Sequence, residues 1–84
     1  MKKRGIAILG STGSIGVQAL TVAEAHPDLF EVQVLTANNN CDLLIKQAKK
    51  YNPNIVVIAN TSLYEKTNTA LTPLGIKVFT GDDS

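Results

Sequence analysis

The chain has 84 residues, and its eight basic and seven acidic side chains give a formal net charge of +1. This length predicts one small domain, and the balanced charge argues against a surface that binds nucleic acid. The apolar stretch after Lys2 and Lys3 is too short for a signal peptide or a membrane span, and the single cysteine, Cys41, cannot form an internal disulfide. We therefore expect a soluble cytoplasmic protein, or a part of one, with no membrane partner.

The first predicted element is a buried strand over residues 5–9, which leads directly into three glycines spaced G-x-x-G-x-x-G. We expect Gly10 to reverse the chain, Gly13 to let the backbone approach a phosphate, and Gly16 to let a helix lie close to the strand. The first N–H groups of that helix lack intrahelical partners and attract an anion. Residues 10–16 therefore predict a pyrophosphate-binding turn; the alternative is a glycine-rich turn without a ligand.

The helix that follows is predicted over residues 14–25, and it ends before Pro27 because the residue before a proline disfavours the helical conformation. Apolar residues recur along it at the spacing of one helix face. The face that we expect to be buried comprises Ile15, Ala19, Val22 and Ala23. His26 is expected to cap the helix end or to lie in solvent, and not to act in catalysis.

A β-rich segment over residues 30–36 predicts the second strand, and the polar residues 38–40 predict a turn. Apolar residues at helical spacing then indicate a second helix, which stops before the next proline. Its inward face is predicted to contain Leu44, Ala48 and Tyr51. Cys41 opens this helix, and we expect it to be a buried thiol and not a reactive one.

Residues 55–58 form a continuous β-branched run, which predicts a third strand that is covered on both faces. Ser62 and Glu65 have the spacing of a capping box, which predicts a third helix through about residue 71. Residues 76–80 predict a fourth strand. The resulting order, β-α-β-α-β-α-β, predicts an α/β fold with a Rossmann-like parallel sheet and flanking helices.

A doubly wound sheet of this kind normally continues with further strands on the other side of its first strand. The chain stops at Ser84, directly after the fourth predicted strand. We therefore expect residues 1–84 to form the amino-terminal part of an NADP-binding Rossmann domain, with the catalytic and carboxy-terminal domains outside this chain.

The turn after the second strand bears on the choice between the two nicotinamide dinucleotides. NAD-binding folds place an Asp or Glu about 20 residues after the glycine motif, where it holds the ribose 2′-hydroxyl. This chain has Asn38, Asn39 and Asn40 in that region and no carboxylate. Amides can donate to a 2′-phosphate, which favours NADP, although no arginine is present and Lys46 lies on the following helix. The alternative is that the three asparagines only form a turn.

No residue set in the chain has the pattern of a catalytic or metal centre. Ser-His-Asp sets, zinc-ligand spacings and a Walker lysine are all missing from the sequence. Four aspartates do not have the spacing of metal ligands, namely Asp28, Asp42, Asp82 and Asp83. We therefore predict no catalytic and no metal-binding residue within these 84 residues, and we assign Asp42 to the dipole of the second helix.

Residues 10–16 closely resemble the amino-terminal signature of the 1-deoxy-D-xylulose 5-phosphate reductoisomerase family. The likeness continues through residues 26–32, 35–40, 56–59 and 62–65, so that it spans nearly the whole chain. The resemblance implies an NADPH-dependent enzyme that rearranges and reduces 1-deoxy-D-xylulose 5-phosphate to 2-C-methyl-D-erythritol 4-phosphate, on the non-mevalonate route to isoprenoids. It also implies a divalent cation (Mg or Mn) with ligands outside this chain, a sugar phosphate substrate, and a homodimer.

The resemblance also assigns cofactor contacts to individual residues. Together with the glycine pattern, it predicts a cofactor-binding set of Gly10, Thr12, Gly13, Ser14, Ile15, Asn38, Asn39 and Asn40. The family usually has Gly where this chain has Asn38, and an asparagine that tolerates the left-handed region can keep that backbone shape.

Two other functions are compatible with the glycine spacing. One is the nucleotide-binding segment of a semialdehyde dehydrogenase, whose loop also follows G-x-x-G-x-x-G and which would need a catalytic cysteine downstream. The other is a free-standing nucleotide-binding module without chemistry. An exposed edge on the first strand argues against the free-standing module, since sheet edges are normally protected.

Overall fold

The computed structural model describes residues 4–81, so that Asp82 and Asp83 lie outside the described residues. It contains four strands and three α-helices in strict alternation, as predicted. They are β1 (Arg4–Ile8), α1 (Ser14–Ala25), β2 (Phe30–Ala37), α2 (Cys41–Tyr51), β3 (Ile55–Ile58), α3 (Tyr64–Leu71) and β4 (Lys77–Thr80). Short 3-10 turns, Thr61–Leu63 and Thr72–Leu74, flank α3.

The four strands form one parallel sheet in the order β1-β2-β3-β4. Each crossover moves one strand in the same direction, so right-handed connections place all three helices on the same face of the sheet. The α/β Rossmann-like prediction is therefore confirmed. Because the strands are parallel and adjacent, the loops after β1, β2 and β3 lie next to one another at the carboxyl edge of the sheet.

The helix-covered face of the sheet holds the hydrophobic core. Ile8, Leu35, Val56 and Val78 are register partners across the four strands, and all four are buried. The opposite face is open within residues 4–81, where Phe79 is 45% exposed. The prediction that β3 is covered on both faces is therefore wrong for this part of the chain, because no element packs on that side.

The prediction of a buried first strand is also wrong within the described residues. β1 is an edge strand whose only neighbour is β2, and Ile8 is its only buried residue. Leu9, which ends the predicted strand, lies outside β1 and is 77% exposed. A strand with one neighbour has one free edge, so its apolar composition alone does not bury it.

Helix α1 has the predicted bounds, and Ala23 of the predicted face is buried, but the helix packs through a stripe that is shifted from that face. Its buried residues are Gly16, Leu20 and Ala23, which recur at i, i+4 and i+7. Ile15 and Val22, which belong to the predicted face, are 83% and 55% exposed. The helix turns its Gly16 stripe to the sheet because that stripe lets it approach the preceding loop closely.

The predicted buried face of α2 is confirmed for two residues, whereas the predicted capping box of α3 is wrong. Leu44 and Ala48 are buried on α2 as predicted. The capping box is wrong: Ser62 does not cap α3, and its backbone N–H donates instead to the side chain of Asn60. Asn60 takes over the cap because it directly precedes the 3-10 turn that leads into the helix.

Candidate functional site

The candidate site lies at the carboxyl edge of the sheet, where the loops after three neighbouring strands meet. The glycine loop (residues 10–13) follows β1, the asparagine turn (residues 38–40) follows β2, and Asn60 follows β3. In open parallel sheets, ligands bind in the crevice beyond the carboxyl ends of the strands. The fold therefore brings all the predicted cofactor residues to the edge where such a ligand would lie.

Thr36, near the end of β2, fixes the start of the glycine loop. Its hydroxyl oxygen accepts a hydrogen bond from the backbone N–H of Gly10 (2.8 Å), and its carbonyl oxygen accepts one from Ser11 N–H (2.7 Å). Gly10 has φ of 68°, the left-handed region that a sharp reversal requires. Sequence reasoning missed this role of Thr36, because its partners lie 25 and 26 residues away in the chain.

Gly13 closes the loop and begins the helix. Its N–H donates to the carbonyl oxygen of Gly10 (2.9 Å), and its own carbonyl oxygen accepts the N–H of Val17 (2.9 Å). It has φ of −83° and ψ of 171°, which any residue adopts. A Cβ added here would lie 3.4 Å from the Gly10 oxygen, so the protein itself leaves room for a side chain.

Gly16 has a different role, because it permits the contact between the helix and the loop. A Cβ at Gly16 would collide with the carbonyl oxygen of Gly10 and would lie 2.6 Å from the Cα of Ser11. The expectation that Gly16 permits close packing is confirmed. The surface that it contacts is the backbone of the glycine loop.

The N-terminus of α1 presents free hydrogen-bond donors beside this loop. The backbone N–H groups of Ser14 and Ile15 have no acceptor among residues 4–81, and no side chain caps the helix. The first turn contains no acidic residue that would offset the positive end of the helix dipole. An anion placed here would be bound by these donors and by the dipole together.

Gln47 on α2 holds the glycine loop from the core side. Its Nε2 donates to the carbonyl oxygen of Ser11 (2.8 Å), and the two residues are 7% and 0% exposed. The second helix is thereby hydrogen-bonded to the loop that precedes the first helix. Sequence reasoning missed this contact, for which the only local signal is a polar residue next to the apolar stripe of α2.

The asparagine turn is joined to β3 by backbone hydrogen bonds. Ala59 N–H donates to the carbonyl oxygen of Ala37 (2.9 Å), and Asn60 N–H donates to that of Asn38 (3.0 Å). Among residues 4–81, Asn52 is the only non-glycine residue with positive φ. Asn38 therefore does not have the left-handed backbone that an asparagine in place of the family's Gly could keep, and the chain bends at residues 38 and 39 without positive φ.

The side chains of the turn have different tasks. The Asn40 Oδ1 accepts the N–H of Leu43 (3.2 Å) and caps α2. The Asn39 Oδ1 accepts a hydrogen bond from Asn60 Nδ2 (3.0 Å). The acidic residue that follows, Asp42, lies in the first turn of α2 and forms an ion pair with Lys66 (2.7 Å), so no carboxylate stands in the turn itself.

The other residues considered from the sequence, His26, Cys41 and Lys46, do not take part in this site. His26 caps the end of α1 with its backbone N–H, and its ring packs edge-on against Phe30. Cys41 is buried, as expected. Lys46 lines a groove between α1 and α2 that includes Val17. Within residues 4–81, none of these three residues forms a hydrogen bond with the glycine loop.

Other classes of function would need a metal centre or a membrane-spanning helix. Across residues 4–81, no three His, Cys, Asp or Glu side chains are grouped so that they could hold a metal ion. No helix in this part of the chain is long and apolar enough to cross a bilayer. The groups that residues 10–14 and 38–40 offer at the carboxyl edge are backbone N–H groups and neutral side chains.

A parallel sheet whose first strand ends in a glycine loop, with free helix N–H groups beside it, defines the nucleotide-binding part of a Rossmann-type domain. The model of the 1-deoxy-D-xylulose 5-phosphate reductoisomerase family matches residues 6–84, and the chain belongs to this family. This membership rules out the semialdehyde dehydrogenase alternative.

Relatives support the assignment over almost the whole chain. The 1-deoxy-D-xylulose 5-phosphate reductoisomerase of Bacteroides thetaiotaomicron is 59% identical over 83 residues, which cover 99% of this chain and 21% of that protein. The enzyme of Geotalea uraniireducens is 47% identical over 81 residues, or 96% of this chain and 20% of that protein. This chain therefore spans about a fifth of the length of the curated relatives it matches.

Solved structures of the same enzyme share the fold. The reductoisomerase of Zymomonas mobilis in complex with NADPH is 38% identical and superposes with a TM-score of 0.92, covering 98% of this chain and 22% of that one. A reductoisomerase in complex with NADPH, fosmidomycin and magnesium is 27% identical with a TM-score of 0.88, covering 95% of this chain and 20% of that one.

Proposed function

We propose that this chain is the amino-terminal NADPH-binding segment of a 1-deoxy-D-xylulose 5-phosphate reductoisomerase. The whole enzyme would rearrange and reduce 1-deoxy-D-xylulose 5-phosphate to 2-C-methyl-D-erythritol 4-phosphate in non-mevalonate isoprenoid biosynthesis. One observation carries the proposal: the free N–H donors at the start of α1 lie beside a glycine loop of fixed shape, in a chain that belongs to this family. NADPH supplies the hydride for the reduction.

The pyrophosphate is assigned to the start of α1. The N–H groups of Ser14 and Ile15 are free to donate, and the hydroxyls of Thr12 and Ser14 stand next to them in sequence. Gly10 and Gly13 contribute in another way, because their own N–H groups already donate within the protein. They give the loop its shape and leave space for the phosphates, and the helix start supplies the hydrogen bonds.

The adenosine 2′-phosphate is assigned to the asparagine turn. A phosphate accepts hydrogen bonds, and the amides of Asn38, Asn39 and Asn40 can donate them. A carboxylate at this position would repel the phosphate and would suit the 2′-hydroxyl of NAD instead. The turn itself contains no carboxylate, which fits NADPH.

Three further properties are proposed from family membership. The enzyme would use a divalent cation, Mg or Mn, whose ligands lie outside these 84 residues. It would act as a cytoplasmic homodimer. Residues 1–84 would form the first part of its NADP-binding domain. The catalytic and carboxy-terminal domains would be formed by other residues of the whole enzyme.

Titration with the two reduced cofactors tests the assignment. In the full-length enzyme, NADPH should bind at least about tenfold more tightly than NADH, a difference of about 1.4 kcal/mol in binding free energy. Nicotinamide fluorescence or calorimetry measures both dissociation constants. Equal affinities, or a preference for NADH, would contradict the assignment of the asparagine turn to the 2′-phosphate.

Activity of the isolated chain provides a second test. A preparation of only these 84 residues should bind the dinucleotide weakly and show no turnover with substrate, NADPH and a divalent cation. Sedimentation should reveal self-association, because β1 has a free edge and Phe79, Ile15 and Val22 leave apolar surface exposed. Measurable turnover by a pure preparation would refute the proposal that catalysis needs a further part of the enzyme.

A further inference from the structure

We infer that Asn60, which lies after β3 and outside the predicted cofactor set, is a positioning residue for the 2′-phosphate: it orients the side-chain amide of Asn39 so that the NH2 group of Asn39 faces outward as a donor. This inference rests on the proposed function, because it concerns how the proposed 2′-phosphate site selects its ligand. It is carried by a chain of hydrogen bonds in which each donor determines the next.

This series of hydrogen bonds starts at the backbone N–H of Ser62, which is a donor without ambiguity. The backbone N–H of Ser62 can only donate, and it donates to Oδ1 of Asn60 (3.0 Å). The hydroxyl of Ser62 also reaches this oxygen (2.6 Å). These contacts fix which side of the Asn60 amide carries the oxygen, so its Nδ2 must lie on the other side.

The second step passes this orientation to the turn. Nδ2 of Asn60 lies 3.0 Å from the side chain of Asn39, and an amide NH2 group can only donate. Asn39 must therefore present its Oδ1 to Asn60. Its own NH2 group then points away from Asn60 and has no acceptor among residues 4–81. Without this contact, the amide of Asn39 could present oxygen or nitrogen to a ligand with equal ease.

Backbone hydrogen bonds join the two segments that carry these side chains. Asn60 N–H donates to the carbonyl oxygen of Asn38, and Cys41 N–H donates to that of Asn39 (2.9 Å). Asn60 is half-buried, whereas Asn39 is exposed. The arrangement therefore has a supported inner residue and an accessible outer residue, as a donor to a soluble ligand requires. A phosphate has only acceptor oxygens, so it distinguishes the two orientations of the Asn39 amide.

The probes for the test are adenosine 2′,5′-bisphosphate and 5′-AMP, which differ only in the 2′-phosphate. The ratio of their dissociation constants isolates the contribution of that group and does not depend on the nicotinamide half. Ligand-observed NMR measures both constants even when binding is weak. The quantity to compare between variants is this ratio, which a general loss of stability would not change selectively.

The main variant is Asn60→Ser, since a serine hydroxyl can still cap the 3-10 turn but is too short to reach Asn39. It should reduce the preference for the bisphosphate by at least about tenfold, the size expected for one lost hydrogen bond to a charged group, and leave 5′-AMP binding unchanged. Asn39→Ala should have a similar effect. In the double variant, Asn60→Ser should add nothing, because it acts only through Asn39.

Two further variants make the outcome decisive. Asn68→Ser is the same exchange on α3, where within residues 4–81 the Asn68 side chain is hydrogen-bonded only to Thr72, and it should leave the ratio unchanged. If Asn60→Ser does not fold, Asn60→Thr also keeps a capping hydroxyl, adds no charge and is too short to reach Asn39, and it should also reduce the ratio. An unchanged ratio in a folded Asn60 variant would overturn the inference. So would a decrease in the ratio that Asn60→Ser causes equally in the wild type and in the Asn39→Ala variant.

The same titrations separate the inference from the proposed function. A wild-type chain that does not bind either probe, or that does not prefer the bisphosphate, would refute the 2′-phosphate assignment itself. A wild-type chain that prefers the bisphosphate, together with an Asn60 variant that keeps the full preference, would refute only the role of Asn60.

Discussion

The glycine loop and the asparagine turn, the two regions of the proposed cofactor site, are built by different means. The glycine loop takes its shape from backbone groups and from glycines at fixed positions. The side chains of Thr36 and Gln47 form hydrogen bonds with its backbone. The asparagine turn has no residue with positive φ, and its proposed recognition groups are side-chain amides, of which that of Asn39 is hydrogen-bonded to the residue after a neighbouring strand. A loop defined by its backbone can serve any dinucleotide, whereas side-chain amides can be exchanged to change the cofactor.

The largest effect is expected from breaking the contact beneath the glycine loop. Gly16→Val should destabilise the fold by at least about 3 kcal/mol, because its Cβ would overlap backbone atoms that cannot move aside. Urea unfolding measures the change. Gly75→Val is the matched control: it has φ of 81° but open space around it, so only backbone strain of about 1–2 kcal/mol is expected. Equal losses in the two variants would mean that close packing at Gly16 contributes nothing.

Gly13→Val should separate binding from stability. The φ of −83° and the open surroundings predict a change in the unfolding free energy below about 1 kcal/mol. Affinity for NADPH and NADH should fall together, by at least about tenfold, because the side chain would occupy the space of the pyrophosphate. A folded variant with unchanged affinity for both cofactors would show that this loop does not hold the phosphates.

Thr36→Val should have a smaller effect of the same kind. It removes the hydroxyl that accepts the Gly10 N–H and keeps the shape of the side chain. A loss of about 1–2 kcal/mol in stability is expected, since one donor loses its partner. NADPH and NADH should lose affinity by the same factor, in contrast to Asn39→Ala, which should affect NADPH alone. A selective loss of NADPH in Thr36→Val would contradict the division of roles between loop and turn.

The smallest effect concerns the opposite end of the molecule and provides a baseline for both regions. A hydrogen bond and the charge of Lys50, 3.0 Å away, lower the pKa of the exposed Glu24 carboxyl below its ordinary value. A lowered folded-state pKa contributes stability above the unfolded pKa, and this contribution disappears as the pH falls through the folded value. Glu24→Gln should therefore unfold slightly more easily at neutral pH.

This difference between wild type and Glu24→Gln should vanish in acid, below the lowered pKa, and it should shrink in high salt because the pair is exposed. Thermal unfolding at neutral and acidic pH measures it, and cofactor affinity should not change. A difference that grows as the pH falls would contradict the assigned sign.

The features that could be predicted from the sequence are those with a local cause. The bounds of α1 and β3 follow from patterns of neighbouring residues, and the glycine loop follows from its spacing. The face of α1 could not be predicted, because the helix carries two apolar stripes, and the one with Ile15 is more hydrophobic than the one with Gly16. Only the tertiary contact of Gly16 with the loop decides between them.

The supporting residues of the site could not be predicted for a related reason. Thr36, Gln47 and Asn60 act on residues 21 to 36 positions away in the chain, and nothing in their own neighbourhoods distinguishes them from ordinary polar residues. Such contacts depend on which strand ends become neighbours, and therefore on the strand order. The predicted cofactor residues themselves stay a prediction until ligand binding is measured.

The hydrogen bonds that close the glycine loop have a consequence for how fast and how tightly a ligand binds. The N–H groups of Gly10, Ser11 and Gly13 are already satisfied within the protein, so the loop needs no ligand to complete its hydrogen bonds. Its ordering entropy is lost during folding and not during binding. A phosphate bound as proposed would therefore meet a preorganised surface, and its capture would need no rearrangement of the loop.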